Sequence, residues 1–386
     1  MAPTAVAPPV PFAPPFLGGA EIAEVIATLE SGWLSTGPRV AAFEQAFKDY
    51  TGAPHAIALN SCTAALHLSL LAAGIGRGDE VVTTPLTFCA TANAILHAGA
   101  TPVFADIDPL TFNLDVRNVA AAITFRTRAL LPVHFAGRPV DVAGFDVLAR
   151  RRRLTVIEDA AHCVEGVAGG RKIGATADFT CFSFYATKNL TTGEGGMVTA
   201  RDPRAAEFMR TASLHGMSRA AWTRYTPGAS AHYDVTMAGF KYNMMDLQAA
   251  IGLHQLAHLQ QNHARRGEIW AAYDAGLADL PLQRPLPVPS GDVHARHLYT
   301  VLVDETSAGI SRDELHRRLN ERGISTSVHF RALHLHPFYQ DRLGVTRGMF
   351  PAAEAVSDTT LSLPLSAGMT DGAVERVLEA LHDTIR

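Results

Sequence analysis

Apolar and polar positions along the chain follow two rhythms. Up to about Thr199, short apolar runs recur, separated by stretches whose apolar residues return every three to four positions. The runs predict buried strands over His55–Leu59, Glu80–Thr84, Thr101–Ala105, Ala129–His134, Thr155–Glu158, Asp178–Phe184 and Gly196–Thr199. The spaced stretches predict helices over Ala20–Leu29, Arg39–Tyr50, Thr63–Ala73, Thr87–His97, Asp141–Arg153 and Asp202–Leu214. In the second of these, Val40, Phe43 and Phe47 share one stripe. Strands alternating with helices predict an α/β fold: a large, mostly parallel seven-stranded sheet covered on both faces.

Beyond Leu214 the rhythm breaks. Ser213–Phe240 is rich in Gly, Ser, Tyr, His and Arg without a sustained period, and a loop this long inside a compact domain is often functional. Asp246–Gly276 predicts one long helix. After it, a strand over His297–Val303, a helix over Ser311–Glu321 with Ser311 and Glu314 as a capping box, a strand over Ser325–His329 and a helix over Thr370–Ile385 predict a smaller α+β C-terminal domain. The expected division is a proline-rich arm over 1–15, a large α/β domain over 16–250, and the long helix with the small domain over 251–386.

Composition narrows the class. The 386 residues suffice for two buried cores, and 47% hydrophobic with 18% charged is an ordinary globular balance. A net charge of -4 creates no field for nucleic acid or an anionic membrane. The basic run Arg150–Arg153 closes a helix, where cations complement the dipole. Cys62, Cys89, Cys163 and Cys181 show no C-x-x-C spacing and sit in apolar sequence, so free thiols in a reducing compartment are expected. The N-terminal segment lacks a basic region and an unbroken apolar core, and no apolar run has the length of a membrane span. A cytoplasmic protein without membrane or nucleic-acid partners is expected.

The chemistry concentrates in Val156-Ile-Glu-Asp159-Ala-Ala-His162 and Phe182-Ser183-Phe-Tyr-Ala-Thr-Lys188-Asn189. Asp159 falls at the C-terminal end of a buried strand, the edge where open α/β sheets bind ligands. An ionised carboxylate there needs a cation. A protonated pyridinium nitrogen is one, and the pairing keeps such a ring an electron sink. One further strand carries Ser183 near its end with Lys188 just beyond, which puts an amine on the same edge. A partly desolvated lysine titrates low enough to form a Schiff base. Singly, Lys188 reads equally well as a surface lysine and Asp159 as a helix cap. In this order and spacing they point together to pyridoxal 5'-phosphate (PLP).

Asn60-Ser61-Cys62-Thr63-Ala64-Ala65 joins a strand to a helix, where open N–H groups and the helix dipole favour a phosphate. Alone it is a weak motif, since Ser and Thr cap helices everywhere. Thr192-Gly-Glu-Gly-Gly196 matches neither a Walker loop nor a dinucleotide fingerprint and reads as a turn that brings backbone close to the lysine. His329, His334 and His336 lack the carboxylate spacing of a metal site, and no metal is expected.

With Gly32-Trp-Leu-Ser-Thr-Gly-Pro38, Asn60-Ser-Cys-Thr-Ala-Ala-Leu-His67, Glu194-Gly-Gly196 and Lys241-Tyr-Asn-Met-Met-Asp246 added, the chain from about Phe16 onward resembles the DegT/DnrJ/EryC1/StrS sugar aminotransferases. Gly323-Ile-Ser-Thr-Ser-Val-His329-Phe-Arg-Ala-Leu-His334 is most similar to the C4-aminating branch, which includes the UDP-4-amino-4-deoxy-L-arabinose aminotransferases. The resemblance implies a fold-type I PLP-dependent homodimer with active sites shared between subunits. It implies Lys188 as the Schiff-base lysine and proton shuttle, Asp159 on the pyridine nitrogen, His162 near the ring and Phe88 stacked on it. Cys62, Thr63 and Ser183 would hold the phosphate, joined by Asn243 from the partner subunit. Cys62 departs from the Gly or Ala of many relatives, which leaves its backbone N–H rather than its side chain as the expected contact.

Thr36, Arg224, His329 and Arg331 are the expected substrate contacts, with Arg219 and Lys241 as further cations around the loop. The substrates implied are L-glutamate and a nucleotide-linked keto-sugar, a UDP-4-keto sugar aminated at C4. Alternatives are a PLP-dependent dehydratase or lyase, a cyclitol aminotransferase of the same family, and a non-catalytic regulator on the PLP fold. The dehydratase branch of the family replaces the lysine with histidine, so Lys188 favours transamination.

Overall fold

All seven apolar runs become strands of one sheet. The computed structural model describes residues 8–218 and 232–385. The strands are β1 (His55–Leu59), β2 (Glu80–Thr83), β3 (Thr101–Phe104), β4 (Thr127–Leu131), β5 (Thr155–Asp159), β8 (Phe179–Ser183) and β9 (Gly196–Ala200). Between β5 and β8 a short hairpin forms from β6 (Val167–Ala168) and β7 (Arg171–Lys172). The sheet order is β1-β9-β8-β5-β4-β2-β3, and β9 alone runs antiparallel to its neighbours. Crossover helices bury both faces, which is why these strands are uniformly apolar rather than alternating.

The first helices are α1 (Gly19–Glu30), α2 (Pro38–Thr51), α3 (Cys62–Ala72), α4 (Cys89–His97), α5 (Val116–Ala122), α6 (Val142–Arg152) and α7 (Pro203–Ala212). Helix α5 was not anticipated: its seven residues offer too little periodicity, and Asp115 fixes its start by accepting from the Arg117 N–H. On α2, the Val40–Phe43–Phe47 stripe is buried as expected. Phe47 meets Phe182 of β8 edge-on at 5.0 Å between ring centroids, and Phe43 lies 5.4 Å from Phe184.

The long helix expected over Asp246–Gly276 is two helices, α8 (Asp246–Ala257) and α9 (Leu259–Gly276), broken at His258 (φ -89°, ψ 0°). Asp246, fully buried, accepts from the N–H groups of Arg39 and Val40 at 3.1 and 3.0 Å. Its carboxylate thus caps α2 from another helix, the partner an N-terminus prefers.

A small three-stranded antiparallel sheet, β10 (Leu282–Gln283), β11 (Tyr299–Val303) and β12 (Thr360–Leu363), carries the second core. Helices α10 (Glu305–Ala308), α11 (Arg312–Glu321), α13 (Pro351–Thr359) and α14 (Asp371–Ile385) flank it, whereas α12 (Pro337–Leu343) packs on the large sheet's side, with Tyr339 against Phe104 of β3 and Asn93 of α4. Two local expectations fail here. Residues 325–329 do not form a strand: Ser327 meets Ser362 in a single bridge, and His329 reaches β12 only through the side chains of Ser362 and Thr360. The capping box at Ser311 is half realised, since Ser311 accepts from Glu314 N–H while Glu314 pairs with Arg317 and Arg318. Val10 of the proline-rich arm is buried in this core, hydrogen-bonded to Gly323 and Ser325.

Candidate active site

The register of β9 assembles the site. Gly196, its first residue, pairs with Leu59 at the end of β1 and with Ser183 at the end of β8. The two segments leaving those strands, Asn60–Thr63 and Phe184–Lys188, therefore emerge side by side. A Cβ on residue 196 would lie 2.4–2.6 Å from the Ser61 and Cys62 backbone, so only glycine permits this approach. Ser61 caps α3 by accepting from Ala64 N–H at 3.1 Å, which leaves the first-turn N–H groups of Cys62 and Thr63 without intrahelical acceptors. On the other flank of β8, Cys181 pairs with Asp159 at the end of β5.

A cavity of about 620 Å³ opens over this edge, within the size range of small-molecule sites. Its walls include Ser61, Cys62, Thr63, Asp159, His162, Ser183 and Lys188 from the large sheet. Phe88 and Tyr185 stand at its mouth, and His329 and Phe330 close it from the small lobe. Eight of the residues expected from sequence thus share one cavity: Cys62, Thr63, Phe88, Asp159, His162, Ser183, Lys188 and His329. Thr36 and Asn243 lie outside it, hydrogen-bonded to each other at 2.7 Å, while the Thr36 hydroxyl donates to Met244 O. Arg331 does not line it either; its guanidinium donates to Leu335 O. Arg219 and Arg224 lie outside the described residues. His334 is buried against Glu354 at 2.9 Å.

Electrostatics favour a covalent amine chemistry. Burial pushes the Lys188 ammonium down to about 8, with the Asp159 charge opposing that fall. The Lys188 side chain is only half-buried and lines the cavity. Burial raises the Asp159 carboxyl, opposed first by the Thr91 hydroxyl at 2.8 Å and then by Ala161 N–H at 3.1 Å. Both of these hydrogen-bond partners are neutral, and the Lys188 charge acts on the carboxyl only after them. His162 is held far below the ordinary imidazole range, chiefly by burial and then by the Lys188 charge, and its Nδ1 is buried without a partner. Burial keeps the Cys62 thiol protonated. A carboxylate hydrogen-bonded only by neutral donors, a low-titrating amine, an orphaned ring nitrogen and a glycine-floored cup of free N–H groups fit the pyridinium, aldehyde, ring and phosphate of PLP.

Three contributors escaped the sequence reading. Thr91, fully buried on α4, donates to Asp159 and is linked to Thr87 at 2.8 Å; the Thr-x-x-x-Thr spacing at a helix start was the available signal. Asn189, next to Lys188, bonds His297 at 3.0 Å, and the His297 ring lies 4.4 Å from His162. No local pattern marks His297, because its partners lie more than a hundred residues away.

Fold and site together define a fold-type I PLP-dependent aminotransferase. Residues 15–382 match the family model described as the DegT/DnrJ/EryC1/StrS aminotransferase family, and the chain belongs to that family. It is 50% identical over 379 residues to the spore coat polysaccharide biosynthesis protein SpsC of Bacillus subtilis, covering 98% of this chain and 97% of SpsC. Among solved structures, Spr1654 from Streptococcus pneumoniae in its PLP form superposes with TM-score 0.90 at 33% identity, covering 98% of each chain. The structure of that protein is also solved in a PMP form. Helicobacter pylori PseC, an aminotransferase involved in the biosynthesis of pseudoaminic acid, superposes with TM-score 0.90 at 29% identity, over 98% of this chain and 99% of PseC. The protein is therefore a sugar aminotransferase whose cofactor is PLP.

Proposed function

We propose that the chain transfers the amino group of L-glutamate to the C4 carbonyl of a UDP-linked 4-keto sugar, acting in the cytoplasm as a homodimer. The observation that carries the cofactor half is the shared cavity of Lys188 and Asp159, with the amine pushed down to about 8 by burial and the carboxylate hydrogen-bonded only by neutral donors. Bound PLP supplies the electron sink that makes a C–H bond beside an amine acidic. Asp159 keeps the pyridine nitrogen protonated, and Phe88 and His162 flank the ring. Backbone N–H groups of Cys62 and Thr63, with Ser183, hold the phosphate. Lys188 Nζ would hold the cofactor, and as a free amine it would take the amino donor's α-proton and carry it across the same face of the site. The keto-sugar then runs the same proton transfers in reverse.

Substrate contacts are assigned to Thr36, Arg224, His329 and Arg331. Among the described residues of this set, His329 is on the cavity wall, fixed by Ser362 Oγ at 2.9 Å and kept neutral by burial, which pushes it down to about 3. Thr36 and Asn243 sit together outside this chain's own cavity, as contributors to a neighbouring copy's site would. An exposed apolar stripe on α1, Ile22, Ile26 and Leu29 at 59%, 49% and 54% exposure, supports a dimer, since monomers rarely show such a face. The similarity of segment 323–334 to the C4-aminating branch supports the regiochemistry and the uridine. Among the described residues no helix is long and apolar enough to cross a membrane.

The test is a glutamate-dependent assay across UDP-, GDP- and dTDP-linked 4-keto and 3-keto sugars, read by product mass together with 2-oxoglutarate release. Amination of a UDP-4-keto sugar with stoichiometric 2-oxoglutarate is expected. Turnover of 3-keto sugars alone, or of a keto-cyclitol alone, overturns the substrate assignment. Sugar turnover without 2-oxoglutarate would point to a dehydratase or lyase.

A further inference from the structure

A chain of buried polar groups runs from the interdomain helix α9 to the histidines beside Lys188. Glu165 and Arg266 of α9 form an ion pair whose side chains are 0% and 4% exposed. The other oxygen of Glu165 accepts from Asn189 Nδ2 at 2.9 Å, and that same nitrogen donates to Ala295 O at 2.8 Å. Both amide hydrogens are then used. Asn189 Oδ1 can only accept, so His297 Nδ1, 3.0 Å away, carries the hydrogen between them. The opposite side of this network is packing: the His297 ring lies 4.4 Å from the ring of His162, tilted by 43°.

An amide at position 189 does something a carboxylate would not. It passes on the geometry of the Glu165–Arg266 pair without its charge. A carboxylate against His297 Nδ1 would favour the imidazolium, placing a cation against His162 and Lys188. We propose that Asn189 and His297 are positioning residues: Asn189 couples the α9 ion pair to His297 in its neutral Nδ1–H form, and His297 in turn seats His162 beside Lys188. The proposal rests on the roles assigned above to Lys188 and His162. The titratable groups acting on His297 include Lys188, His329, Arg266 and His294, with His162 in ring contact, and the Glu165 carboxylate lies beyond Asn189, paired with Arg266. Burial and these neighbours hold the imidazole well below its usual range, in keeping with the neutral form.

Two measurements test this. In the cofactor-free chain, Asn189→Asp is expected to bring one additional imidazole into titration between about pH 5 and 8 by NMR. That signal should vanish in the Asn189→Asp/His297→Asn double variant. Absence of any new titrating imidazole overturns the proposal without touching the cofactor assignment. In the PLP-loaded protein, the readout is the pH midpoint of the bound-cofactor absorption band. His297→Asn keeps a donor where Nδ1 stands, whereas His297→Phe keeps the ring volume and loses the donor. The proposal expects His297→Phe to move the midpoint by about half a pH unit or more, and His297→Asn to move it less. A role in packing alone predicts the reverse order, and that order, or equal midpoints in both variants, overturns the proposal. A wild-type chain with no cofactor band would instead refute the cofactor reading.

Discussion

Replacing Thr91 by valine isolates the contact that holds the cofactor-facing carboxylate in its charged form. Valine keeps the volume of this fully buried position and removes only the hydroxyl that donates to Asp159 Oδ2 at 2.8 Å. A hydrogen bond to a charged group is worth about 1.5–3 kcal/mol. Asp159 retains Ala161 N–H on its other oxygen, and Thr87, which lines the cavity, can turn its freed hydroxyl to water. At about 1.4 kcal/mol per tenfold, PLP affinity should fall by roughly 10- to 100-fold. The pH dependence carries its own sign. Burial already raises the Asp159 carboxyl, and the Thr91 bond is the largest influence lowering it. Without that bond the carboxyl rises further, so the charged form that grips the pyridinium is lost sooner as pH falls. The assay is titration of cofactor-free protein with PLP, followed by absorbance between pH 6 and 8, with a thermal melt to confirm folding. Affinity within threefold of wild type throughout, in a folded variant, would refute the reasoning.

Other consequences follow from the same geometry. Gly196→Ala places a methyl within 2.6 Å of the Ser61–Cys62 backbone; the turn must shift, and the variant is expected to fold yet fail to retain PLP through dialysis. Phe47→Ala empties the contact between α2 and β8 and should cost about 3–5 kcal/mol in urea denaturation, without a comparable change in PLP affinity per folded molecule. Stability of the cofactor-free chain should fall from pH 7 to pH 5. Burial depresses His294 and His329 from 6.5 to about 3, so the unfolded chain takes up protons below about 6.5 that the native chain refuses. By linkage each contributes up to about 2 kcal/mol of loss at pH 5, and a flat urea midpoint over that interval would contradict the neutral state of these half-buried histidines.

Much of the fold was legible because a sheet buried on both faces writes itself as apolar runs. All seven runs became strands, and Asp159 and Lys188 met at the expected edge because β5, β8 and β9 are neighbours. What stayed hidden depends on contacts distant in sequence. The break at His258 has no Gly or Pro to announce it. Residues 325–329 look like a strand, yet only Ser327 pairs with β12 through its backbone, while His329 is held there by the side chains of Ser362 and Thr360 and lines the cavity. Thr91 reads as an ordinary small polar helix residue until the Asp159 carboxylate is placed against it. His297 was legible only as part of a strand, and its side chain acquires meaning through Asn189 and His162.

The chain contains four lysines, Lys48, Lys172, Lys188 and Lys241, so the site of attachment can be read without ambiguity. PLP-loaded protein is reduced with borohydride, digested and mapped by mass. The cofactor-derived mass increment is expected on the peptide carrying Lys188 and to disappear in Lys188→Ala; an increment on any of the other three lysines, or none at all, would contradict the account.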